Sequence, residues 1–245
     1  MTLRVTGGGT GEPLLLLLHG LGATGDVWAG WESVLAERWP GRWVAPDLPG
    51  HGGSGPLAEY TFEALAAAVQ PLVEPGRTAV LGHSLGGVVA LTVAAQTSVT
   101  AVVGLGIKVA WSADELDRAR GLASRPVTWF DSRDEAAARY LKVSGLAGLL
   151  EPGDPAVDAG LHQEGGRWRL ALDGRAFGVG APDMAGLIAG CSATVTLARG
   201  EHDPMNSDAQ LAGFGVPVVT LPGVGHNAHV ASPGLGGTLL SALGA

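Results

Sequence analysis

Gly82-His83-Ser84-Leu85-Gly86 decides how the rest of this chain is read. Before it stands Thr78-Ala79-Val80-Leu81, a short apolar run with the character of a buried strand. After it, Leu85 to Gln96 is rich in Ala, Val and Leu and free of Pro, which predicts a helix. A strand, a tight turn and a helix with serine at the apex make a nucleophile elbow. Gly82 and Gly86 suit that turn because strand and helix approach closely, and a Cβ at either place would clash. The turn carries the Ser84 hydroxyl beyond the sheet edge. It also aims the first helical N–H groups, partially positive, at whatever Ser84 attacks.

Working outward, the same alternation recurs. Residues 2–6 are expected to form an edge strand, and Gly7 to Gly11 a turn. Pro13 to Leu18 is apolar throughout, as a sheet covered on both faces requires, and ends in His19-Gly20-Leu21-Gly22. A loop at the carboxyl end of a central strand is where α/β sheets bind ligands. Asp26 is expected to cap a helix with Trp28, Trp31, Val34 and Leu35 inward. Trp43 to Ala45, Val99 to Gly104, Ala193 to Ala198 and Val216 to Leu221 are further strands. Phe62 to Val73 and Pro233 to Ala245 are helices. The order predicts an α/β fold with a mostly parallel, doubly wound sheet. Its body covers residues 1–106 and 190–245. Residues 107–189 lack a sheet strand and read as an inserted helical cap.

Three strand ends supply chemistry. A serine hydroxyl needs a base within hydrogen-bond reach, and the base needs an orienting group. Ser84 follows one strand, Asp203 another and His226 the last. His226 is the expected base and Asp203 its orienting carboxylate, in the chain order Ser, Asp, His. Glu201 is the alternative carboxylate and His229 the alternative base. His226 and His229 at i, i+3 also have metal-ligand spacing, but no third ligand stands nearby, so no metal is expected. The oxyanion of an acyl-transfer intermediate needs fixed donors, expected from the backbone N–H of Leu85 and Leu21. His19, His83, Trp111, Trp129 and Trp168 are the candidate pocket residues.

The bulk numbers exclude other classes. Net charge is −8 with no basic run, which argues against a nucleic-acid groove. The single cysteine, Cys191, rules out an intramolecular disulfide and reads as a small apolar residue opening a strand. Met1 to Arg4 lacks signal-peptide character, and Leu14 to Leu18 is too short to cross a membrane. A cytoplasmic monomer or homodimer is expected, acting on a small molecule without a cofactor.

His19-Gly20-Leu21-Gly22, Asp47-Leu48-Pro49-Gly50-His51-Gly52, Gly82 to Gly87 and Gly225-His226 together resemble the α/β-hydrolase family. The resemblance covers the body and implies acyl chemistry, since Ser84 stands where epoxide hydrolases and dehalogenases of that family carry Asp. It implies a serine hydrolase of a small ester, thioester, lactone or C–C bond substrate. Asp47 to Gly53 and Gly225 to His229 also resemble the menaquinone-pathway synthase of this fold. That resemblance implies an alternative lyase, with Arg118, Arg120 and Arg125 as possible partners of a carboxylate-rich substrate. A ligand sensor that keeps the triad is a third alternative.

Overall fold

The computed structural model describes residues 2–245. In chain order the strands are β1 (Val5–Gly8), β2 (Leu14–Leu18), β3 (Trp43–Pro46), β4 (Thr78–His83), β5 (Ala101–Leu105), β6 (Leu161–Glu164), β7 (Arg167–Leu170), β8 (Thr194–Gly200) and β9 (Val218–Leu221). Seven of them form one sheet in the order β1-β3-β2-β4-β5-β8-β9. Only β1 runs antiparallel, against β3; the other neighbours are parallel. Such a sheet needs cover on both faces, which is why β2, β4 and β5 are buried at every position.

Two apolar cores provide that cover. One holds Trp28, Trp31 and Leu35, the latter on α1 (Glu32–Arg38), together with Leu239 and Leu240 of the C-terminal helix. The other holds α2 (Phe62–Val69) and α3 (Leu85–Gln96). Register then aligns the strand ends: Leu18 lies opposite Gly82, and His83 opposite Leu105. The loops after β2, β4 and β5 therefore open at one level of the sheet.

Between β5 and β8 the chain forms α4 (Ala113–Ala123) and α5 (Arg133–Val143), each capped by a serine, Ser112 or Ser132. The expected cap is helical, but it also contains the antiparallel hairpin β6–β7. Gly165 and Gly166, at φ 56° and 79°, form its two-residue turn. The helix Met184–Gly190, read with the cap, packs on α3 of the body.

Other local readings shift. Gly7 and Gly8 belong to β1 rather than to a turn. Asp26 caps no helix; it pairs with Arg4 at 2.9 Å. Cys191 ends the Met184–Gly190 helix, with Sγ 3.2 Å from Leu187 O, and does not open β8.

Candidate active site

Ser84 has φ 52° and ψ −115°, the only positive φ at a non-glycine residue among the described residues. Strain of this kind persists only where the surroundings enforce it. A Cβ on Gly82 would lie 2.1 Å from Gly86 O, and one on Gly86 2.5 Å from Leu18 O, so the elbow admits neither. Ser84 N–H donates to Leu105 O at 2.8 Å, fastening the turn to β5. Leu85 opens α3, where an N–H has no helical partner.

His226 and Asp203 meet across the loops that follow β9 and β8. The imidazole Nδ1 lies 3.1 Å from both carboxylate oxygens of Asp203. A carboxylate only accepts, so Nδ1 carries the proton and Nε2 is left as the basic nitrogen. The Asp203 side chain is fully buried, that of His226 20% exposed. Met205 N–H donates to Asp203 Oδ1 at 2.9 Å, and Arg199 donates to its backbone carbonyl. Arg199 also binds Asn206, whose amide reaches Ile107 O at 2.8 Å, tying the acid loop to the end of β5. Gly106, at φ +66°, lies under the pair; a Cβ there would be 3.2 Å from both Asp203 Oδ2 and His226 Nδ1. Among the described residues Ser84 Oγ makes no hydrogen bond to His226 Nε2.

The alternatives lie elsewhere. Glu201 is exposed and accepts from Gly223 N–H at 2.8 Å, bracing the turn before His226. His229 is buried behind the site, its ring 4.6 Å from Trp28 and 4.3 Å from His83. Burial first, then His226 and His19, pushes its pKa down to about 3.

His19 and His83 are framework rather than lining of the cavity. His19 Nδ1–H donates to Gly20 O, and Nε2 accepts from Leu48 N–H, both at 2.8 Å. Burial lowers it to about 4, so the ring stays neutral in that tautomer. It thereby shapes the loop carrying Leu21, whose N–H has no protein partner among the described residues. His83 Nε2–H donates to His226 O at 3.0 Å, with the two rings 4.7 Å apart. Burial, then His229 and His226, holds it well below the usual histidine range.

The cavity at Ser84 is about 90 Å³ and mostly apolar, with Leu21, Phe62, Leu85 and Val88 beside the serine and Trp111 at its edge. Lys108 is its one charged lining residue; Nζ is 2.5 Å from Glu115 and 5.1 Å from the Trp111 ring. Trp129 lines a separate cleft of about 390 Å³. Trp168 pairs through its backbone with Phe130 and is not among the residues lining either space. Arg118 and Arg120 are exposed on α4; Arg125, also exposed, lines an adjoining cavity. Sequence reading passed over Lys108 and Phe177 as lining. The signal for Lys108 was its place just beyond the end of β5, beside the other strand-end loops. Among the described residues no three of His, Cys, Asp and Glu are grouped to hold a metal ion. Among the described residues no helix is long and apolar enough to cross a membrane.

A sheet of this order, a strained serine after its central strand and a carboxylate–imidazole pair on the last two strand ends define an α/β-hydrolase body. Residues 15–235 match the model of the "Alpha/beta hydrolase family". The chain belongs to that family. It is 32% identical over 265 aligned positions to the magnesium-chelatase 30 kDa subunit of Rhodobacter capsulatus, covering 93% of this chain and 86% of that one. It is 33% identical over 178 positions to lipase LipV of Mycobacterium tuberculosis, 67% of this chain and 65% of that protein. Among solved structures, E-2-(acetamidomethylene)succinate hydrolase superposes with a TM-score of 0.80 at 23% identity, covering 98% of this chain and 93% of that one. That last likeness speaks to the fold.

Proposed function

We propose that this protein is a serine esterase that cleaves a small carboxylic ester or thioester through Ser84, His226 and Asp203. The observation that carries the reading is the Asp203 carboxylate on His226 Nδ1, which leaves Nε2 free to act as a base, together with a serine held at φ 52° at the end of β4. Nε2 takes the Ser84 proton as Oγ attacks the carbonyl carbon. The N–H groups of Leu21 and Leu85 meet the developing oxyanion. His226 then hands its proton to the leaving oxygen or sulfur as the acyl–enzyme forms. Water repeats the sequence and frees the acid.

The names of relatives support ester chemistry: besides the lipase, the pimeloyl-[acyl-carrier protein] methyl ester esterase of Methylococcus capsulatus is 42% identical over 82 positions. The synthase-type lyase is the weaker reading, because Arg118, Arg120 and Arg125 are all exposed and the serine cavity is largely apolar. The test is a panel of p-nitrophenyl acyl esters with Ser84→Ala. The expected loss in kcat is on the order of 10⁶-fold, together with loss of fluorophosphonate labelling. Full turnover in that variant overturns the proposal.

A further inference from the structure

Two cavities under the cap meet at one side chain. The inner one, about 90 Å³, holds Ser84 and has Phe177 in its lining. The second, about 120 Å³, has Leu122, Val143, Leu170 and Leu172 in its walls, and Phe177 again. The helix α4 runs past both. Ala119 lines the inner space; Leu122, three positions on and so on the same face, lines the second. Phe177 stands in the 3₁₀ turn Gly174–Gly178, which packs on α4 so closely that a Cβ on Gly178 would lie 3.2 Å from that of Ala123. Phe177 is therefore a wall between the two spaces.

The chemistry at Ser84 decides what the inner cavity holds. A leaving group takes its proton from His226 Nε2, so it lies on the His226 side of the serine. His226 is not in the lining of the inner cavity, whereas Leu21 and Leu85, the residues proposed to meet the oxyanion, are. What remains for that cavity is the acyl chain. At ~30 Å³ for a methylene-sized group, the volume of one water in the liquid, about three carbons fit beyond the carbonyl. A longer straight chain runs into the ring of Phe177.

We propose that Phe177 sets the acyl-chain length, and that the substrates are esters or thioesters of short acids, with about two to four carbons. This rests on the assignment of Ser84 as nucleophile. It adds which acyl groups that serine meets and which side chain excludes the longer ones.

The experiment measures kcat/KM for straight-chain p-nitrophenyl esters from acetate to decanoate. In the native chain the value should rise about fourfold per added methylene as far as butyrate. Beyond butyrate it should fall by about tenfold or more, as the chain meets the ring. Phe177→Ala removes the wall, and the space behind it takes about four further carbons, so the maximum should move to about octanoate. Phe177→Leu, which keeps an apolar side chain in the turn and so guards against a misfolded cap, should move it part of the way. Leu122→Ala, which enlarges the second cavity and leaves the wall, should keep the native maximum. A native maximum at hexanoate or longer overturns the proposal. So does a maximum that both Phe177 variants leave in place, or an equal shift in Leu122→Ala. Should Ser84→Ala hydrolyse every ester as the native chain does, the esterase reading fails. The wall is then read without turnover, by ligand-detected NMR with methyl ketones of the same chain lengths. Short ketones alone on the native chain, with long ones gained in Phe177→Ala, support it; one length preference in both proteins, or no binding in either, sinks it.

Discussion

Asp203 and His83 hold the same residue, His226, at its ring and at its backbone. Asp203 fixes the ring through Nδ1, while His83 holds the backbone carbonyl of His226. Replacing Asp203 by Asn puts an amide against Nδ1 and favours the wrong tautomer. By the parallel of serine proteases, kcat should fall about 10⁴-fold with little change in KM or thermal stability. A variant that keeps native kcat would remove Asp203 from the assignment. His83 makes its contact through Nε2–H, a donor that glutamine reproduces and leucine does not. His83→Gln should therefore retain more kcat than His83→Leu, with matching substrate KM in both; equal losses would reduce His83 to a packing residue. The three residues proposed as the triad could be picked out because each follows a strand whose apolar run is unmistakable. The role of His83 could not, since nothing local to Gly82-His83-Ser84 tells which carbonyl its ring will meet, and the partner lies 143 positions away.

At the scale of an element, the segment from Asp47 to Ser54 buttresses the loop after β2 that carries Leu21. Asp47 is fully buried and accepts from Gly25 N–H at 2.8 Å, from Gly53 N–H at 2.9 Å and from Arg4 at 3.2 Å. Ser54 Oγ returns to its backbone carbonyl at 2.7 Å, and the next residue, Leu48, donates to His19. Asp47→Ala strands the buried N–H of Gly25, the part-buried N–H of Gly53 and half of Arg4's partners. A loss of about 3 kcal/mol is expected in denaturant unfolding. Activity should fall as well, because the Leu48–His19 bond shapes the loop bearing Leu21. A change below about 0.5 kcal/mol, the range of ordinary surface substitutions, would contradict this account. Sequence marked this segment only through its family resemblance, not as carrying a structural aspartate. The hairpin β6–β7 escaped for a related reason: His162, Gln163, Glu164, Arg167 and Arg169 make it too polar to signal a strand. Its exposed residues face solvent, so no apolar alternation marks it.

The whole molecule concentrates neutral imidazoles at the end of the sheet where Ser84, Asp203 and His226 lie. His19 and His51 pack edge to face with centroids 5.0 Å apart, and His83 and His229 stack at 4.3 Å. All four are buried, and burial is the leading cause of lowered pKa in each: to about 4 for His19, about 3 for His51 and His229, and further down for His83. In the unfolded chain the same rings take protons near pH 6.5. Above that pH neither state binds them, so stability is indifferent to their titration. Below it the unfolded chain gains protons that the folded one refuses, and stability falls as pH falls. Each ring contributes a slope of up to about 1.4 kcal/mol per pH unit until its folded pKa is reached. Carboxylates held low, such as Asp173, lose their contribution only as pH drops past the ordinary carboxylate range, so pH 6.5 to 5 isolates the histidines. Since total stability of a domain is about 5–15 kcal/mol, several rings titrating together are a large perturbation. The melting midpoint should drop by about 10 °C or more between pH 7 and pH 5. His19→Asn should flatten the descent, because asparagine cannot titrate. A midpoint level across that interval would mean that the rings accept protons in place, and that their burial does not hold them neutral.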